Sequence, residues 1–170
     1  IDEPVMDKVM DIDNVKAIRR IVHDTIGFLN ENNVIVNDDI EIEISHHYGV
    51  ENFYKDGAVI INLINREYTN KLLIMFPGQN HPAHLHKIKE ETFKVIHGDL
   101  TVSMDGKLIK LSAGDRVLIP VNTYHSFSTE KGVIFEEVSS KHIRSDSYYK
   151  DNVIQEKEFL ERKTIIRSFE

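Results

Sequence analysis

Imidazole and carboxylate side chains, which bind first-row transition metals, are concentrated in segment 78–98, which reads GQNHPAHLHKIKEETFKVIHG. Alternate side chains of a β-strand share one face, so His84 and His86 are expected to point together, with Leu85 on the opposite face. Two imidazoles on one face form a natural pair of ligands for a divalent ion. The spacing therefore predicts half of a metal site.

Two further residues are expected to complete this site. Glu91 follows the charged run KIKE and opens the next predicted strand, from which its carboxylate can return to the same centre. His125 follows the strand and proline loop of segment 114–127. Three histidines and one glutamate suit a divalent transition metal (Mn, Zn, Fe, Co or Ni) better than Mg or Ca, and they leave positions for water or substrate.

The other histidines fit this pattern less well. His81 is expected either in a solvated loop or beside a ligand, and His97 either faces the cavity or is a hydrogen-bonded core residue. His46 and His47 are adjacent, so at most one of them can belong to the site. The run 87–90 is most simply a solvated loop. Two histidines are expected at the surface: His23 and His142.

Composition restricts the possible partners and chemistries. The chain has 170 residues, a net charge of −7 and no cysteine. An acidic chain is a poor partner for nucleic acid, and the lack of cysteine excludes thiolate ligands and nucleophiles. The apolar runs are too short to span a membrane, and no signal segment is visible, so a cytoplasmic protein is expected. The chain starts at Ile1, which suggests a domain excised from a longer protein.

The elements that must position these residues are mainly β-strands. Short β-type runs separated by turn residues begin near residue 40, and Asp105-Gly106 is a strong hairpin signal. The pattern predicts an antiparallel sandwich or barrel. Before it, apolar residues at helical spacing from Asp13 onward predict an amphipathic helix. We therefore expect a helical extension at 1–36 and one β-barrel domain at 37–170, with a short helix and an extended tail at its end.

The histidine segments resemble the two sequence motifs of the cupin superfamily. The first motif, G-x5-H-x-H-x4-E-x6-G, matches at every fixed position: Gly78, His84, His86, Glu91 and Gly98. The second, G-x5-P-x-G-x2-H-x3-N, matches at three positions: Gly114, Pro120 and His125. It departs at Asn122 and Thr129, which puts the loop geometry in question. The resemblance implies a mainly all-β cupin fold, a double-stranded β-helix or jelly-roll barrel, here with an N-terminal amphipathic helix.

Two closer resemblances suggest a sugar ligand. The segments FPGQ, ETF and EVSS, together with the histidines, resemble small D-lyxose isomerase-type cupins. The segments IEISHHYG and RSDSYYKDNVI resemble the C-terminal cupin domain of N-acetylneuraminate (sialic acid) synthase-like proteins. Strand alternation places Glu137 on the inward face, and the isomerase resemblance implies Glu137 and Lys71 as proton-transfer groups. A charge at a strand entrance is the alternative for Lys71.

Three functions follow from this site. A metal that polarises neighbouring sugar oxygens would support aldose–ketose isomerisation, with a carboxylate as the base. The chain could instead be a non-catalytic sugar-binding or assembly module of a sialic acid synthase-like protein. An iron dioxygenase is the third possibility, although the lack of tryptophan weakly disfavours an aromatic substrate. A small-molecule sugar is the expected ligand, and a homodimer is the expected assembly.

Overall fold

The computed structural model describes residues 12–167 and 169, and β-strands are the predominant regular structure. There is one long helix, α1 (Ile12–Glu31), and two short ones, α2 (Asn152–Gln155) and α3 (Phe159–Arg162). The strands are β1 (Glu41–Ser45), β2 (Ala58–Asn65), β3 (Tyr68–Met75), β4 (Asn80–Leu85), β5 (Glu91–Met104), β6 (Lys107–Ser112), β7 (Arg116–Ile119), β8 (His125–Ser128), β9 (Val133–Ser140), β10 (Tyr148–Tyr149) and β11 (Lys163–Ile166).

The strands form one curled antiparallel sheet, in the order β10-β4-β8-β5-β9-β3-β2-β1-β11. The long strand β5 takes part in both halves: its first part pairs with β7 and β9, and its second part pairs with β6 and β8. This pairing folds the sheet into a jelly-roll barrel and confirms the predicted mainly β architecture. Among the described residues, no helix is long and apolar enough to cross a membrane.

Alternation along the strands gives the barrel an apolar interior with a polar end. The inward residues at one end form a cluster of aromatic and aliphatic side chains, including Phe93, Phe127 and Phe135. Further along the same strands, the inward positions become polar: Lys71 on β3 and Glu137 on β9 are both buried. The apolar cluster therefore fixes the strands that carry the polar residues.

Helix α1 covers the outer face of β1, β2 and β3. Its residues Ile21 and Leu29 are buried against outward-facing strand residues such as Ile44, Ile61 and Ile74. The sequence left open whether this helix covers the barrel or a partner chain, and the structure places it on its own barrel. The homodimer stays a prediction, and a light-scattering mass equal to one chain at micromolar concentration would contradict it.

Two turns explain how the sequence motifs are accommodated. Asp105 and Gly106 have φ values of 50° and 76° and join β5 to β6, which confirms the predicted hairpin. Asn122, which replaces the glycine of the second motif, has φ 57°. Asparagine tolerates this left-handed conformation better than most residues, so the departure from the motif keeps the turn. The Asn122 amide also donates to the His86 carbonyl at 2.7 Å.

Two local expectations need refinement. The tail after α3 is extended as expected, but it forms strand β11, which pairs with β1. His97 does not face the interior as Phe93 and Val95 do, because the register of β5 against β9 shifts between Val95 and His97. This bulge leaves His97 exposed, next to the ring of Phe28. Both expectations for His97, a cavity-facing and a core histidine, were therefore wrong.

A Gly98→Ala substitution should destabilise the barrel by at least about 2 kcal/mol, because it combines left-handed strain with a backbone clash. Gly98 has φ 89°, and a Cβ atom there would overlap the carbonyl oxygen of Gly132. Urea unfolding measures the loss. The control is Gly27→Ala in the exposed face of α1, where the space is open and alanine should stabilise the helix. Equal stabilities of the Gly98→Ala variant and the wild type would contradict the prediction.

Candidate metal centre

Three predicted ligand histidines meet at the polar end of the barrel. His84 is the second-to-last residue of β4 and pairs with His125, the first residue of β8, and His86 directly follows β4. The ring centroid of His84 lies 4.2 Å from that of His125 and 4.9 Å from that of His86. One ring nitrogen of each histidine lies within 4.8 Å of the others. The predicted pairing of two imidazoles on one face is therefore present, with the third beside them.

Each of the three imidazoles uses its Nδ1 atom on a backbone carbonyl. The contacts are His84 to Pro82 at 3.1 Å, His86 to Asp146 at 2.8 Å and His125 to Thr123 at 3.0 Å. A carbonyl oxygen can only accept a hydrogen bond, so the proton of each neutral ring lies on Nδ1. The three Nε2 atoms then carry free lone pairs. This tautomer is the one that a metal-ligating histidine adopts when it binds through Nε2.

Glu91 faces the same lone pairs. Its Oε1 atom lies 3.2 Å from Nε2 of His86, and its Oε2 atom lies 3.2 Å from Nε2 of His125. These two nitrogens and Oε2 are buried and have no hydrogen-bond donor in the described structure. Lone pairs that face one another in a buried site are costly unless a cation lies among them. The four residues therefore fit a divalent metal, through three imidazoles and a carboxylate.

Burial keeps His84 neutral. Burial is the main reason why the pKa of His84 is well below its usual value, and the neighbouring His125 and His81 add to the effect. Burial would raise the pKa of Glu91, but the positive charge of the Lys89 ammonium holds that pKa well below its usual value. Neutral imidazoles and an ionised carboxylate are the forms that bind a metal.

Lys89 connects the centre to a second carboxylate. It is 3 % exposed, and its Nζ atom lies 2.9 Å from Oε1 of Glu91 and 3.2 Å from Oε2 of Glu137. Nζ also donates to Nδ1 of His142 at 3.2 Å. The ammonium thus uses its three donors on two carboxylates and one neutral imidazole. Burial would lower the pKa of Lys89, but Glu137 and Glu91 raise it above its usual value.

These contacts correct two sequence predictions. The run 87–90 is not simply a solvated loop, because Lys89 is buried at the site. His142 is half-buried and contacts Lys89, so it is not an ordinary surface residue. Burial and the nearby Lys71 lower the pKa of His142 to about 2. The sequence gives no local signal for either residue, because both are buried by segments distant in the chain.

The two predicted proton-transfer residues lie opposite each other. Lys71 on β3 pairs with Glu137 on β9, and both side chains point into the barrel. Lys71 is 4 % exposed, so it is not a solvated charge at a strand entrance. Burial lowers the pKa of Lys71 to about 8, and the negative charge of Glu137 opposes this shift. Glu137 therefore lies between two lysines, Lys71 across the strand pair and Lys89 toward the histidines.

Further rings flank the other side of the centre. His81 lies in β4, 4.7 Å from the ring of His84, and stacks on Phe127 at 4.4 Å. It therefore lies beside a ligand rather than in a solvated loop. The ring of His47 lies 4.6 Å from that of His81, whereas His46 contacts Thr164 on β11. Of these two adjacent histidines, only His47 reaches the neighbourhood of the site, as the alternation predicted.

A buried ion pair links the paired strands β1 and β11. Lys163 of β11 donates to Oε2 of Glu43 at 2.6 Å, and the two side chains are 12 % and 6 % exposed. Burial would raise the pKa of Glu43, but Lys163 and Lys71 lower it to about 2. The pair therefore joins the C-terminal strand to β1 through a charge interaction that depends on the ionised carboxylate.

A Glu43→Gln substitution should cost about 3 kcal/mol at neutral pH, because it leaves the ammonium of Lys163 buried without its charge partner. The folded pKa of Glu43 is below the ordinary value of 4.5, so this stability is present above about pH 4.5 and is lost as the pH falls through about 2. Urea midpoints across this range should show the difference between variant and wild type shrinking in acid. Glu67→Gln is the control, since Glu67 makes an exposed pair with Lys141. A difference independent of pH would contradict this account.

Comparison with known proteins agrees with this fold. Residues 71–135 match the family described as "Cupin domain". A D-lyxose ketol-isomerase of Thermofilum sp. is 28 % identical over 165 residues, covering 80 % of this chain and 88 % of the relative. A D-lyxose/D-mannose isomerase of Thermosediminibacter oceani is 27 % identical and covers 74 % and 84 %. The L-ribose isomerase of Cellulomonas parahominis shares the fold at TM-score 0.66 and 14 % identity, covering 83 % and 94 %.

The jelly-roll barrel, its histidine cluster and the match over residues 71–135 are similar to those of the cupins. Along most of its length the chain resembles D-lyxose isomerases of this type. These relatives favour the isomerase alternative over the prediction of a sialic acid synthase-like domain.

Proposed function

We propose that this protein is a metal-dependent aldose–ketose isomerase that acts on a small sugar. The convergence of three Nε2 lone pairs with the Glu91 carboxylate carries the proposal. Its connection through Lys89 to Glu137 adds a second carboxylate that can move protons. The likeness to D-lyxose isomerases over 80 % of the chain supports a sugar as the substrate.

His84, His86, Glu91 and His125 would hold the metal, with the carbonyl-bound Nδ1 atoms keeping each imidazole in place. A divalent ion bound there would act as a Lewis acid and make the C–H group between two neighbouring sugar oxygens more acidic. The donor set accepts several first-row ions, so we propose one ion from Mn, Zn, Fe, Co and Ni. The fixed tautomers mean that the site needs no proton rearrangement before it binds an ion.

Glu137 is the proposed base. Its carboxylate would take the proton from the hydroxyl-bearing carbon next to the sugar carbonyl and return it to the former carbonyl carbon, through an enediol. The accompanying hydroxyl proton would move between the two oxygens with the help of Lys89 or Lys71. Lys71 suits this exchange, because its pKa of about 8 allows both protonation states near neutral pH. Atoms balance, because the proton lost by one carbon is gained by the other, and the proton lost by one oxygen is gained by the other.

The decisive experiment is an isomerisation assay of the metal-loaded protein. The purified chain is treated with chelator, reloaded separately with Mn²⁺, Co²⁺, Zn²⁺ or Fe²⁺, and incubated with D-lyxose, D-mannose or L-ribose. Appearance of the corresponding ketose with one of the ions supports the proposal. Stoichiometric metal binding without turnover of any of these sugars would contradict it and would favour a sugar-binding module.

A further inference from the structure

A buried aspartate outside both cupin motifs contacts the metal centre at several points. Asp146 lies in the segment between β9 and β10 and is 2 % exposed. The sequence segment RSDSYYKDNVI, which includes it, has no part in the proposed chemistry. In the structure this segment crosses the loop between β4 and β5, which carries His86 at one end and Glu91 at the other.

The Asp146 carboxylate holds this loop through its backbone. Its Oδ1 atom accepts from the amides of Lys87 at 2.8 Å and Ile88 at 3.1 Å. Its Oδ2 atom accepts from the amides of Ile88 at 3.2 Å and Lys89 at 3.0 Å. Three successive amides therefore converge on one carboxylate, an arrangement that binds an anion strongly. This turn sets the direction from which Lys89 enters the site.

The Asp146 backbone acts on a ligand directly. Its carbonyl oxygen accepts from Nδ1 of His86 at 2.8 Å. Pro82 and Thr123, which accept from the other two ligand histidines, lie two residues away from those histidines in the sequence. The partner of His86 lies 60 residues away, so its position depends on how the segment 141–149 is anchored. The carboxylate contacts to residues 87–89 supply that anchor.

We propose that Asp146 is the positioning residue of the metal centre: its carbonyl fixes the Nε2-ligating tautomer of His86, and its carboxylate holds the turn that places Lys89 between Glu91 and Glu137. This inference rests on the proposed metal site. A carboxylate is needed because both oxygens accept amide protons. An asparagine has one acceptor oxygen, so its NH₂ group would face an amide donor and part of the turn would be released.

The test uses Co²⁺, whose visible absorption reports ligand number and geometry. Co²⁺ is titrated into the chelator-treated wild type, Asp146→Asn and Asp146→Ala, with circular dichroism confirming the fold of each. The matched controls are Asp99→Asn and Asp99→Ala. Asp99 also accepts from backbone amides, those of Glu130 and Lys131 at 2.9 Å each, but it lies in the part of β5 away from Glu91.

We expect Asp146→Ala to lower Co²⁺ affinity by about 10- to 100-fold, the usual effect of disturbing a partner that orients a metal ligand, because the carbonyl on His86 loses its anchor. Asp146→Asn should show a smaller loss, and both should alter the Co²⁺ spectrum, whereas both Asp99 variants should match the wild type. If Asp146→Ala does not fold, Asp146→Asn decides the result. Wild-type affinity and spectrum in a folded Asp146 variant would overturn the inference. Failure of the wild type to bind Co²⁺ would instead overturn the proposed function.

Discussion

A His84→Ala variant is expected to bind Co²⁺ at least about 100-fold more weakly than the wild type, because losing a ligand should exceed the effect of losing an orienting partner. His84 lies between the other two imidazoles, with ring distances of 4.2 Å to His125 and 4.9 Å to His86. Its removal leaves two imidazoles and one carboxylate. Isothermal titration of the chelator-treated proteins measures the loss.

Metal-induced stabilisation gives an independent measure of the same loss. Metal at about 100 times its dissociation constant should stabilise the folded wild type by about 2.7 kcal/mol. The same metal concentration should stabilise His84→Ala by at most about 0.4 kcal/mol, because the dissociation constant of the variant is then at least as large as the metal concentration. His23→Ala is the control, because His23 lies on the exposed side of α1 and its loss should leave both measurements as in the wild type. Full affinity in folded His84→Ala would show that the ligand assignment is wrong.

The sequence predicts the convergence of the ligands because that convergence depends on local rules. His84 and His86 share a face through strand alternation, and Glu91 opens a strand, as predicted. His125 follows the proline loop as expected, and the structure shows that it also opens β8. Glu137 could be placed inward from its phase in β9 alone. The glycine and hairpin positions determine where strands turn, so the barrel follows from short segments. These features need only the residues within a few positions of each site.

The sequence does not predict contacts that distant segments create. Lys89 reads as part of a charged loop, and its burial depends on Asp146, which binds its amide from 57 positions away. The exposure of His97 depends on one register shift against β9, which no pattern in β5 reveals. Helix α1 would have the same apolar stripe whether it covered its own barrel or a partner chain. Only the assembled sheet shows which surface the stripe covers. Long-range packing decides these features, and periodicity alone does not contain that information.

Replacing Glu137 by glutamine should lower the turnover number of the proposed isomerisation by about 100- to 10,000-fold, the usual contribution of a positioned general base. In the structure, Nζ of Lys89 donates to Oε2 of Glu137 at 3.2 Å. Glutamine has nearly the same size and keeps an oxygen that can accept this hydrogen bond. The substitution removes the group that takes the proton from carbon. Because Glu137 is not one of the proposed ligands, Co²⁺ affinity and spectrum should remain close to those of the wild type.

Glu136→Gln is the matched control, since Glu136 is the adjacent carboxylate in the same strand and points to the opposite face. It accepts from Nδ2 of Asn70 at 2.7 Å, outside the barrel interior, so its substitution should leave turnover unchanged. Both variants remove one negative charge from β9, but only Glu137→Gln removes the proposed base. Comparing their turnover numbers therefore separates the loss of charge from the loss of proton transfer. Loss of turnover in both would indicate an effect of strand charge or folding. Wild-type turnover in Glu137→Gln would leave Lys71 as the remaining candidate base, because its pKa of about 8 makes its neutral form accessible.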